Sequence, residues 1–357
     1  MNKVSKIKTN NRNKPTLKNI ADMLSVAPST VSKALRDSTD VSYEMKMKVL
    51  KLAKELNYRP NRLAQSLISK ESKILGVLIP DLRIPFFSEA ARGMYEEAAS
   101  KGYEAIIMVH DEKIENEKKK LEFMSDIHVD GILLNAASNQ NIDIYKSMED
   151  EGIKCVCWDR RVEGLDCSSI AIDDIKASYE LTSQIIKEGR RKILYFGKNQ
   201  EISVVEDRYK GYVKALEESE IEVDDNLVVY TKRNYDDAYS KMKYLIESNN
   251  EFDAVICIGG LVAYGAGSAI KDANLSVPED IILGEFGDNE ILSRLGIPFY
   301  TVCQNPYTMG KTAVDLLIKE LENRDKNKAE HIIIESRVLY RNFQNSHEGN
   351  KFLISSS

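Results

Sequence analysis

The chain has 357 residues and 43% apolar content, room for a small domain plus one or two larger ones. It has no apolar run of the roughly eighteen residues that a bilayer span needs and no signal-peptide core at its start, so the expectation is a soluble, cytoplasmic protein. The net charge of −6 hides a division, with 16 Lys/Arg against 6 Asp/Glu in residues 1–73 and 34 against 50 beyond, which suits a polyanion partner for the first part only.

Residues 1–14, rich in Lys and Asn without apolar periodicity, read as a disordered basic arm. From Pro15 to Thr39 the pattern is sharper. Leu17, Ile20, Ala21 and Leu24 keep a helical spacing, Ser25-Val26-Ala27 breaks it, and Val31, Ala34 and Leu35 resume it after Pro28. Two short helices joined by a tight turn predict a helix-turn-helix, whose second helix can lie in a DNA major groove. Its outward positions are then Pro28, Ser29, Lys33 and Arg36. Ser42 is an N-cap candidate with Glu44 in the first turn. A third helix follows, with Met45, Val49, Leu52, Ala53 and Leu56 as its apolar stripe, and Asn57-Tyr58-Arg59-Pro60 stops it. Asn61–Ile68 has helical spacing at Leu63, Ala64 and Leu67 but is too short to stand alone.

From Ile74 short apolar runs alternate with amphipathic stretches. ILGVLIP, EAIIMV, GILL, KCVCW, SIAI, KILYFG, LVVY, AVICI and IILGEF read as strands. Helices are expected near 88–101, 113–127, 179–188, 205–219, 235–248 and 261–272. This order implies doubly wound parallel sheets, and about 270 residues are too many for one such core, so two lobes are expected. A ligand would sit in the cleft between them, at the carboxyl ends of strands. The tail from Gln344 is polar and lacks heptads.

Cys155 and Cys157 share a face of one strand. No Cys/His pair nearby completes a four-ligand metal set, so they read as buried small hydrophobes. His110, His128, His331 and His347 are scattered, and no nucleophile motif or phosphate-cradling glycine loop occurs. We therefore expect no enzyme, no metal and no cofactor.

The motifs T-L-K-N-I-A from Thr16, P-S-T-V-S-K-A-L from Pro28, Y-R-P-N-R-L-A-Q-S-L from Tyr58, P-D-L-R-I-P-F-F from Pro80, D-R-Y-K-G-Y from Asp207 and V-P-E-D-I from Val277 occur in this order. With the Gln304–Gly310 segment, they make the chain resemble the LacI/GalR family of bacterial transcription regulators over residues 15 to 343. The resemblance implies an all-α helix-turn-helix DNA-binding domain (15–59) and a hinge helix with linker (60–73). After these would come an α/β two-lobed periplasmic-binding-protein-like core (74–343, with crossovers near 173, 300 and 330) and a polar tail (344–357). It implies a dimer bound to a palindromic operator, with a cleft effector controlling hinge order. Pro28, Ser29 and Lys33 match base-reading positions; Lys33 could reach guanine acceptors, while Pro28 and Ser29 offer little direct readout. Thr16, Thr30, Ser32, Tyr58 and Asn61 match phosphate contacts, and Leu17, Arg36, Arg62 and Gln65 are assigned to the same surface. Leu67 matches a leucine that wedges into the minor groove. Two departures stand out: Ser25 replaces the family's turn glycine, and Ala27 its serine cap.

In the cleft, Phe86 and Phe87 match an aromatic wall, Asp159 a pocket acid and Arg208 an arginine that holds hydroxyl or carboxylate. Gly259-Gly260 replaces an Asn-Asp, and Gly287 replaces an Asp. With floor carboxylates gone and Arg160 and Arg161 near Arg208, the expectation tilts from a neutral sugar toward an anionic ligand such as a sugar phosphate. A bulky ligand admitted by the glycines, or an empty pocket, is the alternative. Trp158 reads as core packing, and the Asp173-Asp174 pair as helix capping at a crossover. Control by a protein partner, or by no ligand, is the competing reading. A solute-binding protein is disfavoured by the DNA-binding module.

Overall fold

The computed structural model describes residues 15–58, 71–198, 202–287, 290–323 and 328–342. The arm 1–14, Asn61, Arg62, Gln65 and Leu67, and the tail from Gln344 lie outside the described residues. The chain divides into two units, 1–72 and 73–357.

In the first unit, α1 (Leu17–Leu24) begins with a reciprocal cap. The Thr16 hydroxyl accepts from the Asn19 N–H at 3.3 Å, and the Asn19 side-chain oxygen accepts from the Thr16 N–H at 2.8 Å, satisfying donors a helix start leaves orphaned. Ser25 ends it in the left-handed region, at φ 53° and ψ 42°, the conformation for which glycine is the low-cost residue. Next comes α2 (Pro28–Leu35), whose N-cap Ala27 offers no side-chain acceptor, with Pro28 at the first turn. The third helix, α3 (Tyr43–Glu55), is capped by Ser42, whose hydroxyl accepts from the Met45 N–H. Ile20, Ala21, Val31, Ala34, Val49, Leu52, Ala53 and Leu56 close a small core. Because Ala27 already has extended N-cap angles (φ −68°, ψ 145°), Ala27→Ser should stabilise α2 by about 1 kcal/mol. Hydrogen exchange should show its amides slowed by about fivefold; unchanged exchange would mean the hydroxyl does not cap.

The second unit holds two six-stranded sheets. Its elements run β1 (Ile74–Ile79), α4 (Pro85–Ser100), β2 (Glu104–Val109), α5 (Ile114–Asp126), β3 (Gly131–Leu134), α6 (Ile142–Asp150), β4 (Lys154–Trp158) and β5 (Ser168–Ala171). The chain then crosses into α7 (Asp174–Lys187), β6 (Ile193–Lys198), α8 (Ser203–Glu218), β7 (Val228–Tyr230), α9 (Tyr235–Glu247), β8 (Ala254–Cys257), α10 (Gly260–Asp272), β9 (Ile282–Phe286), α11 (Glu290–Leu295) and β10 (Phe299–Cys303). It returns through α12 (Pro306–Glu322) and β11 (His331–Ile333), and ends on β12 (Arg337–Arg341). The first sheet has the order β11-β5-β4-β3-β1-β2, all parallel. The second has the order β12-β10-β9-β8-β6-β7, parallel except for the antiparallel β12. The near-continuous apolar runs of β1, β3 and β8 suit strands covered on both faces.

Each crossing helix packs in the lobe it enters: α7 on α8, β9, β10 and β12, and α12 on α4, β3, β4 and β5. The α4–α12 contact is a close backbone approach, since a Cβ on Gly93 would lie 2.3 Å from the Tyr307 carbonyl oxygen and one on Gly310 2.1 Å from that of Ala90. Two helices start earlier than their apolar pattern shows, α4 at Pro85 and α7 at Asp174. Proline and a capping aspartate, not hydrophobic residues, set those ends. The sequence reading also omitted α6, α11, β10, α12, β11 and β12. The period of α12 is nevertheless visible in Met309, Ala313, Leu317 and Leu321, all buried.

Candidate functional site

The helix-turn-helix surface comes first. Pro28, Ser29, Lys33 and Arg36 are exposed on α2, opposite buried Val31 and Ala34, while Thr16 is exposed and Leu17, Thr30, Ser32 and Tyr58 are half-buried. Ser29, Lys33 and Arg36 fall at i, i+4 and i+7, a single outward stripe. Lys33 Nζ donates to Asp40 at 2.8 Å, and this contact holds the Asp40 carboxyl below its usual range. The two side chains are 47% and 61% exposed; such a pair costs little to break, so Lys33 remains available to another acceptor.

The second site is a cavity of about 310 Å³ between the two lobes. Its walls come from carboxyl ends of parallel strands and the helices that follow them, as the doubly wound topology requires. Past β1 come Asp81, Arg83 and the start of α4 with Phe86 and Phe87; past β2, Asp111 and Glu112; past β4, Asp159 and Arg160. The second lobe gives Val204, Val205 and Arg208 of α8, then Lys232, Arg233 and Asn234 past β7. Ile258 to Val262, Phe286 with Gly287, and Gln304 complete it. Of the nine cleft positions singled out in the sequence, Phe86, Phe87, Asp159, Arg160, Arg208, Gly259, Gly260 and Gly287 line this cavity and Arg161 does not.

The aromatic wall has depth. Phe86 and Phe87 meet edge-on at 5.2 Å, and behind them Trp158, fully buried, stacks on Phe86 at 6.3 Å and meets Phe87 at 6.0 Å. Trp158 is thus core packing that stiffens the wall.

Arg208 is held on three sides. Its Nε donates to Asp174 at 2.7 Å, Nη1 to the Ile258 carbonyl at 2.7 Å and Nη2 to Gln304 at 3.2 Å, with its guanidinium 4.1 Å from the centre of the Phe286 ring. The acid pair at the crossover divides its work: Asp173 caps α7 by accepting from the Lys176 N–H, while Asp174 turns inward to Arg208. Burial pushes the Asp174 carboxyl up to about 6, even though Arg208 pulls the other way. Asp159 is also buried, which raises its pKa; Asn135 donates to it at 3.1 Å.

Glu112 organises the mouth, a role that no motif or spacing marks. Arg160, only 5% exposed, donates Nη1 and Nη2 to the two Glu112 oxygens at 2.8 and 2.6 Å, and Nη1 also to the Ala136 carbonyl. From the other lobe Arg233 reaches Glu112 at 3.4 Å. Burial works to raise the Glu112 carboxyl, but Arg160, then Arg233, overcome this and hold it down at about 2. The turn is fixed by His110, whose Nδ1 accepts from the Glu112 N–H and whose Nε2 donates to the Asn135 carbonyl. Burial pulls His110 down to about 4, so it is neutral near pH 7.

Two expectations need correction. Arg161 is not in this cavity. Adjacent residues leaving β4 point apart, and Arg161 instead binds Asp207 of α8 across the lobes while its N–H donates to Ser203. Nor do Arg160 and Arg208 stand as uncompensated cations, because Glu112 and Asp174 already pair with them. The glycines differ in kind. Gly287 sits at φ +125°, where an aspartate would be strained. Gly259, by contrast, is in extended backbone with open space where a Cβ would stand, so its missing side chain enlarges the cavity.

Among the described residues no group of three or more His, Cys, Asp or Glu could hold a metal ion, and no helix is long and apolar enough to cross a membrane.

Comparison with known proteins matches residues 16–61 to the family model for bacterial regulatory proteins of the lacI family and residues 75–325 to a periplasmic binding protein domain. The transcriptional regulator RegA of Clostridium saccharobutylicum is 32% identical over 319 residues, covering 89% of this chain and 96% of its own. A ribose operon repressor of Halalkalibacterium halodurans is 32% identical, covering 87% and 91%. Among solved structures, a Lac repressor dimer bound to operator and the anti-inducer ONPF superposes with a TM-score of 0.79 at 21% identity, covering 91% of this chain and 98% of that one. These curated relatives are transcriptional regulators rather than enzymes. The chain belongs to the LacI family of bacterial transcriptional regulators.

Proposed function

We propose that the chain is a ligand-controlled repressor that binds a palindromic operator as a homodimer through α2 and the hinge segment, with its effector in the interlobe cavity. The observation that carries this is one chain with an exposed Ser29-Lys33-Arg36 recognition stripe and a charge-lined cavity between two doubly wound lobes. The operator-bound Lac repressor dimer and a CelR–cellobiose complex share this fold at TM-scores of 0.79 and 0.70, which supports the reading. An effector can act only by preferring one lobe arrangement over another. Glu112–Arg233 and Arg161–Asp207, ion pairs that bridge the lobes among the described residues, are contacts such a preference would strengthen or release.

The effector we infer is a small polyhydroxylated molecule carrying an anionic group. Three helices whose amino ends line the cavity, α4, α8 and α10, have N-caps without a side-chain hydrogen bond (Ile84, Ile202 and Gly259), so the positive ends of their helix dipoles border it without a capping side chain. Five basic side chains, Arg83, Arg160, Arg208, Lys232 and Arg233, meet four lining acids, Asp81, Asp111, Glu112 and Asp159; Asp174, outside the lining, pairs with Arg208, and burial favours the neutral forms of Asp159 and Asp174. Sugar phosphates and sugar acids fit this balance better than neutral sugars.

The test joins two measurements on the full chain. Operator fragments selected from random DNA should bind with an affinity that falls by orders of magnitude between about 50 and 200 mM salt, as counterion release demands; a flat response would remove the DNA reading. A panel of neutral, phosphorylated and acidic sugars should then change operator affinity and the emission of Trp158, the chain's single tryptophan, with anionic compounds alone. A response to neutral sugars would overturn the ligand class. None at all would favour control by a protein partner.

A further inference from the structure

Three of the chain's five cysteines meet on one face of the first sheet. Cys155 and Cys157 alternate along β4, and Cys167 precedes β5. All three pack with the cluster on the α5 and α6 side, which includes Leu121, Met124 and Met148. The parallel register pairs Val156 with Ser168, so one residue earlier it sets Cys155 beside Cys167. The sulfurs of Cys157 and Cys167 are 3.2 Å apart, inside van der Waals contact and about 1.2 Å from covalent distance. Cys157 is buried, whereas Cys167 is half-exposed. Hydrogen bonding from Cys155 and Cys157 pulls the Cys167 thiol down to about 4, and both donors are pushed up in turn. Of the two half-buried members, Cys155 and Cys167, Cys167 is the one that favours the thiolate, the form that attacks disulfides. The other two cysteines lie in the second sheet, Cys257 buried in β8 and Cys303 at the end of β10.

The geometry points to Cys157 and Cys167 as a modification site at which a low-molecular-weight disulfide is reduced and an intramolecular disulfide forms. The Cys167 thiolate attacks one sulfur of R–S–S–R, that bond breaks, and RS⁻ departs, leaving a mixed disulfide on Cys167. The Cys157 thiol gives its proton to the departed thiolate and attacks the Cys167 sulfur, expelling the second RS⁻, which takes a proton from water. Two protein thiols are oxidised and one small disulfide becomes two thiols. The closed loop spans residues 158–166, which carry Asp159 and Arg160 of the cavity wall and Arg161, the partner of Asp207 across the lobes. Oxidation therefore anchors the segment through which the cleft and the second lobe are held. This site is independent of which ligand the cleft takes.

The experiment incubates the full chain in glutathione buffers of stepped oxidised-to-reduced ratio, traps free thiols with N-ethylmaleimide and measures intact mass and peptides. The expected product has lost 2 Da, carries three maleimides instead of five and yields a Cys157–Cys167 cross-linked peptide. Cys167→Ser should abolish it and Cys155→Ser should retain it. Five maleimides at every ratio, a glutathione adduct that persists on Cys167, or a Cys155–Cys167 bridge would each overturn the assignment.

Discussion

Replacing Arg208 with methionine should lower the unfolding free energy of the two-lobed unit by about 3–5 kcal/mol at neutral pH, the cost of leaving a buried carboxylate without its partner. Asp174 and Arg208 are 6% and 7% exposed by side chain, so water cannot replace the lost guanidinium. The pH dependence identifies the cause. In the intact protein the Asp174 carboxyl titrates near 6 when folded, against a reference value of 3.8. Between those values the folded state holds a proton that the unfolded state has lost, so stability falls as pH rises through that window. Without Arg208 the folded value rises further, and the fall extends above pH 6. The deficit of Arg208→Met relative to the parent should thus be largest near pH 8 and shrink toward pH 4, where folded Asp174 is protonated in both proteins. Urea unfolding followed by circular dichroism at pH 4.5 and 8 checks this, and adding Asp174→Asn should recover most of the loss. A deficit independent of pH would instead assign the effect to lost packing of the guanidinium against Phe286.

This ion pair marks where the sequence ceases to be legible. Local chemistry was readable: the Ser42 cap, the break at Ser25 and the apolar stripe of α3 all depend on neighbours within four positions. Family motifs then carried Phe86, Asp159, Arg208 and Gly287 to the cavity wall, because they lie on the loops and helices that follow the strands. What neither source supplied was the partner of each charge. Asp174 lies 34 positions from Arg208, and Glu112 lies 48 from Arg160, distances over which neither spacing nor composition pairs residues. That omission turned two paired arginines into an apparent surplus of positive charge. Cys167 escaped for a related reason. It contacts Cys157 through strand register, which a search for metal-ligand spacing does not test. Arg161 shows the converse: adjacency to Arg160 in sequence suggested a shared site, but consecutive side chains at a strand end point apart.

Glu112→Gln should act in the opposite pH direction. The Glu112 carboxylate is held near 2 against a reference of 4.5, so its contribution is fully present above pH 4.5 and is lost as pH falls through about 2. That difference corresponds to about 3 kcal/mol before allowance for its partial exposure of 29%. The glutamine variant should consequently be less stable than the parent by about 2–3 kcal/mol at pH 7, a gap that narrows steadily below pH 4. Arg160 is left buried with a neutral partner, and the bridge to Arg233 loses its charge. A companion variant separates these two consequences. Arg233→Ala removes the interlobe contact to Glu112 while leaving the Arg160–Glu112 pair in place and should cost under about 1 kcal/mol, since partly exposed ion pairs contribute little, yet it should widen the cleft as much as Glu112→Gln does. Small-angle scattering of both variants reads that opening directly. Radii unchanged from the parent in both variants would place Glu112 within the first lobe alone, as the counter-ion of Arg160. Matched increases in radius would make it the residue through which closure of the lobes is felt at the mouth of the cavity.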